Sequence, residues 1–310
     1  MKIKSIICLL VLLAGGGHVM ASFSTAPGYT ATELYSSAGT FTTIGGLDLD
    51  GGKGELFFGQ YTDIKSLDLG DNSTNVEGTV PGNTGNSLVV RHDGTTYTSY
   101  ATSYISPYPY KMGYIDGSGT YVNQLDQHSI YDVAVNPVGD GYIVANPGAL
   151  GSRIFKYDWA NGGTTEIANI GGWSGGLAFD SGGNMYYAEQ TNGEIWKFTA
   201  AEVAAGGLTS GDAEMVLSIT AGYIGFDADD AFYATTGWGA TFAQYDLASG
   251  TKVEDIAYGG IGKFVVDGDD MYMIDTDWVA YASTIQHVVP EPATLILLGL
   301  GTVVLRRGRL

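Results

Sequence analysis

The chain has 310 residues and carries 33 acidic against 14 basic side chains, a formal net charge of −19. Five of the basic residues sit at the two ends, so between residues 22 and 289 nine basic residues face thirty-two carboxylates. A body this acidic repels phosphate backbones and anionic lipid, which excludes nucleic acid as a partner.

Residues 1–21, MKIKSIICLLVLLAGGGHVMA, begin with Lys2 and Lys4, continue with an apolar stretch from Ile6 to Ala14 and end on Val19-Met20-Ala21. Basic start, short apolar core and small residues at the end predict a secretory signal peptide over 1–21, cut by signal peptidase. The apolar core is too short for a spanning helix. Cys8 is the only cysteine and leaves with this peptide. The exported body then has no thiol, which rules out disulfides, thiolate catalysis and cysteine-ligated metals.

The body is organised by a repeat. GGLAFDSGGNMYYAEQTNGEIWKF (175–198) is echoed by YIGFDADDAFYATTGWGATFAQYD (223–246) and by GKFVVDGDDMYMID (262–275). Earlier copies are GLDLDGGKGELFFGQYTDIKSLD (46–68), SLVVRHDGTTYTSY (87–100) and DVAVNPVGDGYIVANPGALGSRIFKYD (132–158). The residue closing the first apolar run of each copy falls at Asp50, Arg91, Asn136, Asp180, Asp227 and Asp267, at intervals of 41, 45, 44, 47 and 40. Six copies of short strand-like runs at this period predict an all-β fold, a six-bladed β-propeller over 28–286.

Within a unit, GLAFD is the inner strand, NMYYAE the second, EIWKFT the third and EMVLSI (214–219) the outer. Thr199 and Glu202 form a capping box for one short helix, which Gly206 stops. The sixth copy runs out of chain before a fourth strand, while TATELYSSAGTFTTI (30–44) matches the missing pattern. The N- and C-terminal segments are therefore expected to share the closing blade, with residues near 39–44 as its added strand. Either 278–285 or TELYSS would supply the third strand. The FDSGGNMYYAEQTNGEIWKF unit resembles blades of NHL-repeat and gluconolactonase-like six-bladed propellers. That resemblance bears on architecture, not on activity.

The chain ends VPEPATLILLGLGTVVLRRGRL (289–310). Its thirteen uncharged residues, 293–305, are fewer than the roughly 20 a helix needs to cross a bilayer. Pro290 and Pro292 set the run apart, and Arg306, Arg307 and Arg309 hold its far end at a headgroup layer. Val289-Pro290-Glu291-Pro292, the apolar run and the arginine cluster together resemble a PEP-CTERM sorting signal. The resemblance implies a transmembrane-like helix over 293–305 that anchors the protein transiently in the inner membrane. It further implies processing by an exosortase and delivery to the cell surface or extracellular matrix.

Chemistry is sparse. Asp227, Asp229, Asp267 and Asp269 are the nearest approach to an oxygen-ligand set, and calcium is the metal they would suit, but the later ligands of a calcium loop are missing. Aspartate between two strands equally caps a tight turn through its side chain. The gluconolactonase-like resemblance implies a divalent metal in the central channel, held by Glu, Asn and Asp of inner strands. Four residues before the marker positions stand Gly46, Ser87, Asp132, Gly176, Tyr223 and Lys263, of which only Asp132 is acidic. The metal set is not recognisable at that register, although an offset of two would hide it. The exported body has three histidines, His92, His128 and His287, with no nucleophile motif beside them. No cofactor and no catalytic residue is assigned.

One stretch stands out: Tyr97, Tyr100, Tyr104, Tyr108 and Tyr110 crowd into YTSYATSYISPYPY. Their flat faces and hydroxyls suit stacking on sugars or gripping peptide. The expected function is a non-enzymatic binding or structural module for polysaccharide or another surface protein. The alternative is a metal-dependent lactone or ester hydrolase. For the tail the expectation is sharper. Replacing Pro290-Glu291-Pro292 by alanines should leave the fold intact and trap the protein in the membrane fraction of a host that carries an exosortase. Intact mass and fractionation, compared with the wild type, check it.

Overall fold

The computed structural model describes residues 22–37, 44–91, 95–101, 110–126, 129–146, 151–237 and 239–291. Each repeat folds into a meander of antiparallel strands. In the fourth unit these are Leu177–Phe179, Met185–Glu189, Glu194–Phe198 and Glu214–Leu217, neighbours in that order. Among the described residues there are six such sheets. The innermost strands are Ile44–Asp50, Asn83–Val90, Ser129–Val135, Leu177–Phe179, Ala221–Phe226 and Ile261–Asp267, and each packs beside the next around a ring.

The core lies between blades rather than within one. Leu56, Phe58 and Leu67 of the first blade pack on Tyr272, Ile274 and Ile285 of the sixth. Tyr97 and Met112 of the second meet Ile130 and Val133 of the third. Second strands are buried on both faces, as in Met185–Glu189, which explains their near-continuous apolar runs. Each large apolar side chain so buried contributes about 1.5–3 kcal/mol. The single α-helix of the described residues, Ala200–Ala205, sits between third and fourth strands of the fourth blade, with the Thr199–Glu202 capping box formed and Gly206 at its end.

Closure uses both chain ends, but not with the segment expected. The sixth sheet runs Ile261–Asp267, Asp270–Asp277, Ala282–Pro290 and then Tyr29–Ser36. Thus Ala282–Pro290 is the third strand and Tyr29–Ser36 the fourth. Residues 38–43 lie outside the described residues, and Ile44 already opens the first blade opposite Gln60. The division follows polarity. The strand ASTIQHVVP buries Ser283, Ile285, Gln286 and Val288, whereas YTATELYS is largely exposed, as an outermost strand can be. Ser24–Thr25 adds to the outer strand of the fifth blade, so the N-terminal segment straps two blades together.

The last strand runs into the C-terminal motif. Val289 pairs with Thr30 and Pro290 with Tyr29, and the Glu291 N–H donates to the Gly28 carbonyl at 2.7 Å. Pro292, the expected helix at 293–305 and Arg306, Arg307 and Arg309 lie outside the described residues. Among the described residues no helix is long and apolar enough to cross a membrane. The transmembrane-like helix is therefore not part of the described fold.

Ser283 locks the junction of sixth and first blades. Its Oγ accepts the Ile44 N–H at 3.0 Å and bonds Thr276 Oγ1 at 2.9 Å, while its carbonyl accepts the Ser37 N–H at 2.8 Å. All of this is buried. Ser283→Ala strands the Ile44 N–H and should cost about 1–3 kcal/mol, read as a lowered urea midpoint with unchanged slope.

Candidate functional site

The six inner strands enclose a channel with a cavity at each mouth. Where those strands end, the cavity is about 510 Å³, with Asp48 and Lys263 among apolar side chains such as Val90, Phe179 and Phe226. The opposite mouth holds about 220 Å³, bordered by Tyr131, Tyr223, Gln190 and Trp278. Lys263 borders both, so its side chain stands between them. Gly46 makes room at the first blade: its φ is +67°, and a Cβ there would lie 2.8 Å from Leu88 Cβ.

Across this channel Lys263 Nζ donates to Asp132 Oδ1 at 2.6 Å, and the Asp132 side chain is completely buried. Asp132 is also held by its neighbours' backbones. Its Oδ1 accepts the Val133 N–H at 2.9 Å and its Oδ2 the Leu177 N–H at 3.0 Å. Asp48 Oδ2 accepts the Val90 N–H from the second blade at 2.6 Å. Burial pushes the Asp48 carboxyl up to about 6. The Val90 and Leu49 amides and the Lys263 charge pull it down, and Asp132 adds to the rise. Tyr131 and Tyr223 stack at 5.7 Å between ring centres, and Lys263 Nζ lies 5.4 Å from the Tyr223 ring. Burial raises the Tyr131 hydroxyl to about 12 and Tyr223 well above its ordinary value.

The register read from the repeat thus finds Asp132, Tyr223 and Lys263, but misses Asp48, two residues beyond Gly46. Bulges at the starts of inner strands, between Gly45 and Leu47, Ile130 and Asp132, and Ile261 and Phe264, break the alternation that would rank inward positions. These residues do not fit a divalent ion. Both Asp132 oxygens are engaged, an ammonium already sits against Oδ1, and among the described residues no three His, Cys, Asp or Glu gather to hold a metal.

Of the turn aspartates, Asp227 is engaged locally. Asp227 Oδ1 accepts the Asp229 and Ala231 N–H groups at 2.9 and 2.8 Å, and Tyr233 donates to its Oδ2 at 3.1 Å. Asp180 and Asn136 cap their turns in the same way. Asp267 and Asp269 lie on the corresponding turn of the sixth blade, where Asp270 bonds His287 at 2.6 Å.

A third cavity, about 840 Å³, opens between second and third blades. Here the marker position is Arg91, the one basic residue in the series. Its guanidinium lies 5.2 Å from the Trp159 ring and 6.0 Å from Tyr97. Tyr97 is buried and packs on Tyr114, Tyr157 and Trp159, with centres 5.4, 6.2 and 4.4 Å apart. Trp159 donates to the Gly139 carbonyl at 2.9 Å and lies against Gly141, where a Cβ would be 2.3 Å from its ring. Lys156, paired with Asp140 at 2.6 Å, stands at the rim. Tyr100 and Tyr110 fall on the strands Thr96–Ala101 and Tyr110–Ile115. Tyr104 and Tyr108 lie outside the described residues. Sequence reasoning found Tyr97 but not Tyr114, Tyr157 or Trp159, which reach the cavity from other strands and a neighbouring blade.

Six blades around an ion-paired channel, closed by both chain ends, define the class as an all-β, six-bladed propeller. Residues 288–309 match the PEP-CTERM protein-sorting motif. A signal of this kind implies exosortase processing and export to the cell envelope or surface. No curated protein matches the chain. Among solved structures, a gluconolactonase from Xanthomonas campestris is similar with a TM-score of 0.63 at 13% identity, over 84% of this chain and 89% of its own. A calcium-binding protein, regucalcin, from Agrobacterium tumefaciens strain C58 gives 0.63 at 14%, over 85% and 96%. A luciferin-regenerating enzyme gives 0.67 at 10%, over 85% and 96%. At these identities the likeness is one of fold.

Asp48 makes stability pH-dependent in a defined sense. Its folded value of about 6 exceeds the ordinary 3.8, so the folded state holds the proton more tightly. The resulting stabilisation is full below about pH 4 and is lost as pH rises through about 6. Asp48→Asn keeps an acceptor for the Val90 N–H without the charge. It should melt above the wild type at pH 7.5, with the gap closing toward pH 4, as thermal melts across that range would show.

Proposed function

We propose that the protein is exported by its signal peptide, anchored transiently in the inner membrane by its tail, and released by an exosortase to the cell surface or matrix. There the propeller acts as a non-enzymatic binding module for polysaccharide. The observation that carries the binding reading is the cavity between second and third blades. It replaces a turn-capping Asp or Asn by Arg91, set over Trp159 and Tyr97, with Tyr114, Gln124 and Asp158 on its walls. Aromatic faces beside a guanidinium and amide and carboxylate groups offer a sugar chain both stacking and hydrogen bonds. Its volume of about 840 Å³ accommodates several sugar rings.

A second reading is the metal-dependent lactone or ester hydrolase, favoured by the fold likeness to a gluconolactonase and by Asp48, whose raised carboxyl sits in an open channel mouth. The donor set around Lys263 speaks against it.

One set of samples separates these readings. In gels containing the host's own exopolysaccharide, the exported protein should be retarded, and Arg91→Ala and Trp159→Phe should each weaken binding about 5- to 20-fold. Retardation that neither variant changes moves the site elsewhere. Absence of retardation, with capture of a surface protein instead, removes the polysaccharide reading. Lactone turnover that requires an added divalent ion would establish the hydrolase.

A further inference from the structure

We propose that Lys263 is the resident cation of the channel: its ammonium does covalently what an exchangeable divalent ion would otherwise do for carboxylates converging from different blades. The inference stands apart from the binding reading, since it concerns the channel and not the cavity between blades. Asp48 comes from the first blade, Asp132 from the third and Lys263 from the sixth. Asp132 is sealed from solvent, and the Lys263 side chain retains 12% exposure. A buried carboxylate needs a counter-charge, and removing one partner of such a pair leaves the other stranded.

Lys263 provides that charge at 2.6 Å, and the Tyr223 face provides a second, weaker stabilisation of the same ammonium at 5.4 Å. The Asp132 oxygens are completed by two backbone N–H groups, one from its own strand and one from the fourth blade. The third, fourth and sixth blades are thereby tied at the axis by one charged cluster, and Asp48 of the first blade feels its field. Because the cation is part of the chain, the propeller needs no ion from its surroundings. If Lys263 is made neutral, Asp48 and Asp132 are left facing a channel with cavities on both sides, and a divalent cation becomes the natural replacement.

The test compares thermal melts of the exported wild type and Lys263→Met, each with chelator and with about 5 mM calcium or magnesium chloride. The wild type should move by less than about 2 °C between these conditions, while Lys263→Met should melt roughly 10 °C lower in chelator and recover at least half of that loss with either ion. Titration calorimetry should detect binding of the ion to the variant and none to the wild type. Should Lys263→Met not fold, the double variant Asp132→Asn/Lys263→Met removes the stranded charge and should fold with no response to either ion. The proposal is overturned by a wild type that binds calcium or loses about 10 °C in chelator. It is also overturned by a Lys263→Met protein that melts like the wild type or ignores both ions, and by a double variant that does not fold.

Discussion

A ring of sheets has one weak point, the seam where the last blade must meet the first. Open sheet edges are templates for association with other chains, and a propeller removes the problem only by closing. Here the closing sheet takes Tyr29–Ser36 from the start of the chain and three strands from 261–290. Everything else depends on that pairing. It brings Tyr272, Ile274 and Ile285 against the first blade, and it places Lys263 opposite Asp132.

The same seam ties sorting to folding. The PEP-CTERM match begins at residue 288, inside the strand Ala282–Pro290, whose Val288 is fully buried. Val289 and Pro290 pair with Thr30 and Tyr29, so the start of the sorting motif is held on the N-terminal strand of the closing blade.

At the axis the protein balances a different constraint. A body rich in carboxylates has few cations to spend on its interior, and burying a charge is unfavourable unless it is paired and hydrogen-bonded. Asp132 meets both conditions, with Lys263 and two backbone N–H groups. Asp48, with the Val90 amide and a more distant ammonium, meets them less fully, which is why its carboxyl is pushed up. The departure at Arg91 is the counterpart on the outside of the ring. Where four of the other blades cap a turn with Asp or Asn, the second lays a cation on an aromatic wall.

What the sequence determined alone was whatever repeats or is local. A period of 40–47 residues marked six blades, Thr199 and Glu202 announced their helix, and the last twenty-two residues declared a sorting signal. Each is carried by residues close along the chain, where spacing is geometry. The tertiary structure alone decided which strand closed the ring, that Asp132 and Lys263 meet although 131 positions separate them, and that Tyr97, Tyr114, Tyr157 and Trp159 share one cavity wall. These depend on bulges that shift which side chains point inward and on neighbours from other blades. A repeat period carries no record of either.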